Sequence, residues 1–192
     1  MKIAIAITGA SGALYAKQLL ATLQRLRCQL SEVSIVFTTT AKQIWHEELN
    51  QPIDLHSFTE YENTNFYAPF ASGSAQYDAL VVCPCSMGTL GRIAHGISDS
   101  LITRAADVML KERKKLILVP REMPYNLIHI KNMELLTQAG AIICPASPTF
   151  YIQPQTIEEL CQTVVDRVID LLGLENETKR WGNNMPISKY AN

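Results

Sequence analysis

Lys2-Ile3-Ala4-Ile5-Ala6-Ile7-Thr8, followed at once by Gly9-Ala10-Ser11-Gly12, is the stretch that decides the fold. The run from Ile3 to Ile7 is apolar at every position, with no alternation of polar and apolar residues. A strand of that kind is buried on both faces, which is the habit of parallel sheets covered by helices. The glycine-bounded turn ends it, and a helix follows. Ala16, Leu19, Leu20, Leu23 and Leu26 recur at helical spacing, with Lys17, Gln24 and Arg25 off the stripe.

The unit repeats along the chain. Val33 to Phe37 reads as a second strand, leading into Thr38-Thr39-Thr40 and a short helix through Leu49. Ala79 to Cys83 is a third strand, stopped by Pro84 and followed by a helix from Ser86 to His95 and another from Leu101 to Arg113. Leu116 to Val119 is a fourth, ended by Pro120. Asn126 to Gln138 is helical with Gly140 as its stop, and Ala141 to Cys144 is a fifth strand ended by Pro145. The last helix carries Thr156 and Glu159 as a capping box. Its broad apolar face holds Ile157, Leu160, Cys161, Val164, Val165, Val168, Ile169 and Leu172. Asn50 to Asp78 shows no clean period and is expected to be a long loop with little regular structure, more often functional than idle at that length.

These readings predict an α/β fold, a three-layer, doubly wound, Rossmann-like parallel sheet in a single domain over residues 1–174, with a polar tail over 175–192. In such sheets ligands bind beyond the carboxyl ends of the strands. Those ends carry Gly9 to Gly12, Thr38 to Thr40, Pro84 to Thr89, Pro120-Arg121-Glu122 and Pro145 to Pro148, all small, hydroxyl-bearing or charged stretches.

Composition narrows the function. The 192 residues are 47% hydrophobic and 18% charged, with 17 basic and 18 acidic side chains and a net charge of −1. A dedicated nucleic-acid or anionic-membrane surface is not expected from that balance. No apolar run approaches the ~18 residues of a membrane span. The apolar start breaks at Thr8-Gly9, short of a leader sequence, so a first strand is the simpler reading. Cys28, Cys83, Cys85, Cys144 and Cys161 are odd in number and scattered, without a C-x-x-C pair. His46-Glu47 begins like a zinc helix motif, but Asn50 stands where its second histidine belongs. A reducing, cytoplasmic protein without a structural metal is expected.

Each loop alone is open to a plainer reading. Gly9 to Gly12 suits a phosphate or flavin edge at a helix N-terminus, or a tight turn with Ser11 as cap. It is neither G-x-G-x-x-G nor a Walker A loop, and strand two does not end in the acidic residue that would hold a nicotinamide cofactor's ribose. Ser86-Met87-Gly88-Thr89 supplies a second set of hydroxyl and N–H groups, or simply caps a helix. Together the two loops favour a flat, polar-edged cofactor. Arg104, Asp107 and Lys111 share one helix face, which is either a solvated ion-pair ladder or part of a cationic clamp. Arg167 lies at the margin of the last apolar face, and Arg121 at a strand end. If these cations converge they bind phosphate without metal. No D-D-x-x-D pair is present for a magnesium-dependent diphosphate mechanism.

At these residues the chain resembles the UbiX-type flavin prenyltransferases. The resemblance rests on Thr8 to Ala13, Ser72-Gly73-Ser74, Pro84 to Thr89, Arg104 to Val108 with Leu110 to Arg113, and Pro120-Arg121-Glu122-Met123-Pro124. Ile128-His129 with Asn132-Met133, Phe150-Tyr151 with Gln153-Pro154-Gln155, and Arg180-Trp181-Gly182 complete it. It covers nearly the whole chain, in order. It implies a flavodoxin-like fold, a homo-oligomer that is typically a dodecamer, and transfer of a dimethylallyl group from an allylic monophosphate to N5 and C6 of reduced FMN. The prenylated FMN would then serve a UbiD-type decarboxylase.

Carried over by position, the resemblance implies FMN contacts at Gly9, Ala10, Ser11, Thr38, Ser86, Met87, Gly88, Thr89 and Arg121. It implies donor binding by Tyr151 and Arg167, with Arg104 and Lys111 as further cations, and proton transfer by Glu122 through Ser11. Thr38-Thr39 replaces the family's more usual Ser-Lys, so one cation is missing there, and Ser100 stands where asparagine or another small polar residue is expected. Two competing readings share these residues. One is an FMN-dependent decarboxylase of cysteine-containing peptides or pantothenate derivatives, which needs an early histidine that His46 does not supply in context. The other is a non-enzymatic FMN carrier, which needs no phosphate clamp.

Overall fold

The structure is a computed structural model and describes residues 1–178 and 182. The motif residues Arg180 and Trp181, and most of the polar tail, lie outside the described residues. Six strands run β1 (Lys2–Ile7), β2 (Glu32–Phe37), β3 (Thr59–Glu62), β4 (Ala79–Cys85), β5 (Lys115–Pro120) and β6 (Ile142–Ile143). Six α-helices join them: α1 (Ala13–Arg25), α2 (Thr39–Leu49), α3 (Met87–Ala94), α4 (Leu101–Lys111), α5 (Leu127–Gln138) and α6 (Ile157–Leu172). All neighbouring strands are parallel, in the order β3-β2-β1-β4-β5-β6. Without the edge strand β3 this is the flavodoxin-like order, whose winding reverses between β1 and β4.

Helices cover both faces. Leu19, Leu20 and Leu23 of α1 and Val165, Val168 and Ile169 of α6 pack on Ile3, Ile5 and Ile7 of β1. On the other face Leu101, Ala105 and Met109 of α4 and Leu90 of α3 pack on Ala4, Ala6, Leu80 and Val82. Each fully buried leucine contributes roughly 1.5–3 kcal/mol. Side chains of β1 point alternately to the two layers, so its unbroken apolar run follows from its place at the centre of the sheet.

The region expected to be irregular between Asn50 and Asp78 contains a strand, so the expectation of five strands is corrected to six. Thr59-Glu60-Tyr61-Glu62 pairs with Ser34 to Phe37 at the sheet edge. An edge strand is half exposed, and charged residues there discourage pairing with other chains, so it lacks an apolar run. Two 3-10 turns, Pro69–Ala71 and Gly73–Ala75, occupy part of the rest. Strand β4 also continues through Pro84 to Cys85, two residues beyond the expected end. In α6, Ile157 is 69% exposed and belongs to the surface, not to the apolar face. Thr156 accepts from the Glu159 N–H at 3.1 Å, but the Glu159 carboxylate reaches the Gln155 N–H at 2.7 Å, one residue short of a reciprocal box.

Candidate active site at the reversal of the sheet

Two strand-to-helix loops meet where the winding reverses. Thr8 joins them: its buried hydroxyl donates to the Pro84 carbonyl at 2.9 Å and accepts from the Ser86 N–H at 2.7 Å. A side chain at Gly9 would place its Cβ 2.8 Å from Thr40 Cγ2, so only glycine lets the start of α2 close on this loop. Thr38 caps α2 by accepting from the Ala41 N–H at 3.1 Å. Gly12 has φ +112, which disfavours any other residue, and Tyr15 lies directly over it.

The loop from Gly9 to Ala13 is held from two sides. The Arg121 Nε–H donates to the Ser11 carbonyl at 3.0 Å. Glu48, near the end of α2, accepts from the Gly12 N–H at 2.9 Å and the Ala13 N–H at 2.8 Å, and bonds the Ser11 side chain. Its carboxylate thus takes up the free amides at the start of α1, a favourable place for negative charge. Partial burial pushes the Glu48 carboxyl up. Hydrogen bonds from Ser11, Ala13 and Gly12 and the charge of Arg121 outweigh that and hold it below the ordinary carboxylate range. A lowered carboxyl stabilises the fold above its unfolded-state pKa of ~4.3, and this contribution is lost as pH falls through the lower folded value. The stability gap between wild type and Glu48→Gln is therefore expected to be present at pH 6 and to shrink below about pH 4, as read by thermal unfolding against pH.

Across the crevice, Ser86 caps α3, accepting from the Thr89 N–H at 3.3 Å and donating to Thr89 Oγ1 at 3.0 Å. A Cβ on Gly88 would stand in ordinary contact with Arg92 Nη1 at 3.5 Å, so space alone does not require glycine there. Gly9, Ser11, Thr38, Arg121 and Ser86 to Thr89 therefore stand at one edge of the sheet, at the carboxyl ends of β1, β2, β4 and β5. The Ser86 and Thr89 hydroxyls and the Arg121 guanidinium at this edge are of the kind that fits a polar-rimmed cofactor bearing a phosphate.

Beside it, the loop from Cys144 to Gln155 and helix α6 enclose a cleft of about 660 Å³ lined by Tyr151 and Arg167. Arg167 Nη1 stands 4.0 Å from Asp170 Oδ2 and is largely exposed. Glu159, Asp166, Asp170 and Glu177 also line the cleft, against Arg167 as its one lining cation among the described residues.

The other expected cations are elsewhere in the chain. Helix α4 packs on the opposite face of the sheet from α6. Arg104 donates from Nε to the Ala71 carbonyl at 3.1 Å and pairs with Asp107 at 2.8 Å. Lys111 closes α4 just before β5 begins, which places it toward the amino ends of the strands, and it pairs with Glu112. One chain alone does not bring Arg104 and Lys111 to Arg121 and Arg167. Glu122 is exposed; its Oε1 accepts from the Met123 N–H at 3.1 Å, and it forms no ion pair with Arg121.

Sequence reasoning missed Thr8 and Glu48. Thr8 looked like the end of a strand, and Glu48 is separated from Gly12 by 36 residues with no motif around it. The four cysteines other than Cys28 are buried, and burial raises the thiol pKa of each, Cys85 to about 12, so they are unreactive. Among the described residues no group of His, Cys, Asp and Glu could hold a metal ion, and no helix is long and apolar enough to cross a membrane.

The family model described as Flavoprotein matches residues 1–172. The flavin prenyltransferase UbiX of Methanocaldococcus jannaschii is 48% identical over 186 residues, covering 95% of this chain and 99% of that protein. The crystal structure of AnUbiX (PadA1) in complex with FMN and dimethylallyl pyrophosphate is 38% identical, with a TM-score of 0.87 over 94% of this chain and 98% of that one. A dodecameric FMN-dependent UbiX-like decarboxylase of Escherichia coli O157:H7 is likewise 38% identical, with a TM-score of 0.88 over 94% of this chain and 99% of that one. With identity of that order maintained from end to end, and with the crevice loops inside the matched span, the chain belongs to the UbiX family of flavin prenyltransferases.

Proposed function

We propose that this protein joins a dimethylallyl group from dimethylallyl monophosphate to N5 and C6 of reduced FMN. The observation that carries the reading is the likeness, over 94% of the chain, to a structure holding FMN and dimethylallyl pyrophosphate together. The crevice between the Gly9 and Ser86 loops supports it. Gly9, Ala10, Ser11, Thr38, Ser86, Met87, Gly88, Thr89 and Arg121 would hold FMN, and Tyr151 and Arg167 the donor. Bound reduced flavin supplies two nucleophilic positions. The allylic C–O bond would break with its electron pair on phosphate as the C–N bond forms and N5 gives up its proton; the remaining C=C would then take up a proton, and the carbocation left would be closed by a C–C bond at C6, which loses its own proton.

The chain's own groups suit those tasks. Guanidinium and ammonium groups stabilise the departing phosphate dianion. Ser11, which is hydrogen-bonded to Glu48, and the exposed Glu122 would accept and return protons. Because Arg104 and Lys111 lie on the face opposite Arg167, a neighbouring copy in a homo-oligomer, of the dodecameric kind, would bring its own pair to this acidic cleft. The prenylated FMN would pass to a UbiD-type decarboxylase in the cytoplasm, with residues 1–174 as the catalytic domain and 175–192 as a tail.

Cysteine decarboxylation is not favoured, since His46 is exposed on α2 and does not line the cleft. Nor is the carrier reading, which leaves Tyr151 and Arg167 beside the crevice without a task. The deciding experiment is anaerobic incubation with reduced FMN and dimethylallyl monophosphate, followed by mass measurement of the released flavin. A five-carbon gain is expected; an unchanged flavin mass with both monophosphate and diphosphate donors overturns the reading. Since side-chain cations stabilise the leaving group, the same gain is expected in excess EDTA. Loss of product restored by magnesium would contradict the cationic clamp.

A further inference from the structure

The chain does not leave α6 for solvent. Gly173, at φ +85, turns it back, and Leu174 is buried against the core. Glu175 is then gripped by a reciprocal pair, its N–H donating to Gln29 Oε1 at 2.9 Å and its carbonyl accepting from Gln29 Nε2 at 2.9 Å. Asn176 Nδ2 donates to Asp166 Oδ1 at 3.1 Å. The next two residues, Glu177 and Thr178, line the same cleft as Tyr151 and Arg167. Asp166 is therefore the last tether before the chain becomes a wall of the cleft.

Asp166 is itself braced. Its Oδ1 also accepts from Gln162 Nε2 at 2.8 Å, and that amide donates in turn to the buried Thr22 hydroxyl at 3.2 Å. The line Thr22, Gln162, Asp166, Asn176 thus runs from the interior of α1, across α6, to the returning segment. A carboxylate at this place is costly on two counts. It is partly buried, which pushes its carboxyl above the ordinary range despite the two amide donors, and it adds negative charge to a cleft already holding Glu159, Asp170 and Glu177. For a cleft that accepts an anionic donor, charge alone argues against an aspartate here, and the tether supplies the reason for it.

We propose that Asp166 is a positioning residue, which holds Glu177 and Thr178 as one wall of the donor cleft through Asn176. This rests on the reading of that cleft as the donor site. Asp166 acts on substrate binding alone, because the wall is in place equally before and during the reaction.

The test is steady-state prenylation by the full-length protein with dimethylallyl monophosphate. Asp166→Ala and Asn176→Ala are each expected to raise the donor KM about 5- to 10-fold, near the loss of one hydrogen bond, with kcat and FMN affinity unchanged. The double variant should be no worse than either single one, since both break the same contact. Asp166→Asn keeps the accepting oxygen and loses the charge, so its KM should be at or below the wild-type value. Hydrogen exchange at the amides of 177 and 178 should quicken in Asp166→Ala and Asn176→Ala without a change in Tm. Removing a negative charge would by itself lower KM for an anionic donor, so the expected rise cannot come from charge. If Arg167→Ala raises the donor KM while Asp166→Ala and Asn176→Ala do not, the tether is refuted and the donor cleft stands. If none of the three moves it, the donor-site reading fails as well. A KM in Asp166→Asn as high as in Asp166→Ala also overturns the tether.

Discussion

Glu122→Gln is expected to fold, to bind FMN and donor, and to form product about 10²- to 10⁴-fold more slowly, the usual contribution of a general acid–base group. Folding should be spared for a local reason. Glu122 is exposed, and its carboxylate accepts from the adjacent Met123 N–H, which an amide oxygen does equally well. The bland alternative, an ion pair with Arg121, is not what the side chains do: Arg121 is turned to the Ser11 carbonyl. Two bonds must form on the flavin and protons must leave between those events. An amide of the same shape cannot accept and return a proton. Single-turnover product formation, measured by flavin mass, is the check. A wild-type rate in Glu122→Gln would reduce Glu122 to a surface residue.

Arg104→Ala and Arg167→Ala are each expected to lower turnover by ~10²–10³-fold, the scale for removing a preorganised group from developing negative charge. The informative experiment mixes them. If a neighbour's α4 completes each cleft, subunits carrying Arg104→Ala and subunits carrying Arg167→Ala form some sites with both cations intact. At equal mixing and random assembly about a quarter of the sites are whole, because each needs one intact contribution from either side of a head-to-tail interface. Activity should rise toward a quarter of wild type after the two inactive proteins are dissociated and reassembled together. No recovery in verified mixed oligomers would place all the cations of one site in one chain. That would contradict the separation of α4 and α6 on opposite faces of the sheet. The exposed apolar residues beside Glu122, among them Met123, Leu127 and Ile128, are consistent with a covered surface there.

How far the sequence reached is clearest in single elements. The central strands were legible because both their faces are buried, so β1 from Ile3 onward and β4 are apolar. The edge strand β3 was not, since Thr59-Glu60-Tyr61-Glu62 has one neighbour and an exposed side, and its polar pattern is that of a loop. Helix starts at Ser86, Ser100, Asn126 and Thr156 carry capping side chains that act within four residues, the range over which sequence spacing is spatial distance. The Gly9 and Ser86 loops could be proposed from sequence as one site, because parallel topology sends every strand's carboxyl end to the same edge.

What the amino-acid order determined alone was therefore the alternation of buried strands and helices and the glycine and hydroxyl loops at their ends. Tertiary structure decided which of those residues meet. It brought Glu48 onto the amides of Gly12 and Ala13, and Thr8 between Pro84 and Ser86. It returned Asn176 to Asp166, and it sent Arg104 and Lys111 to the face away from Arg167. The physical reason is range. Periodicity and capping act across a few neighbouring residues, whereas a site is assembled by contacts between residues tens of positions apart, whose meeting depends on the packing of the whole sheet.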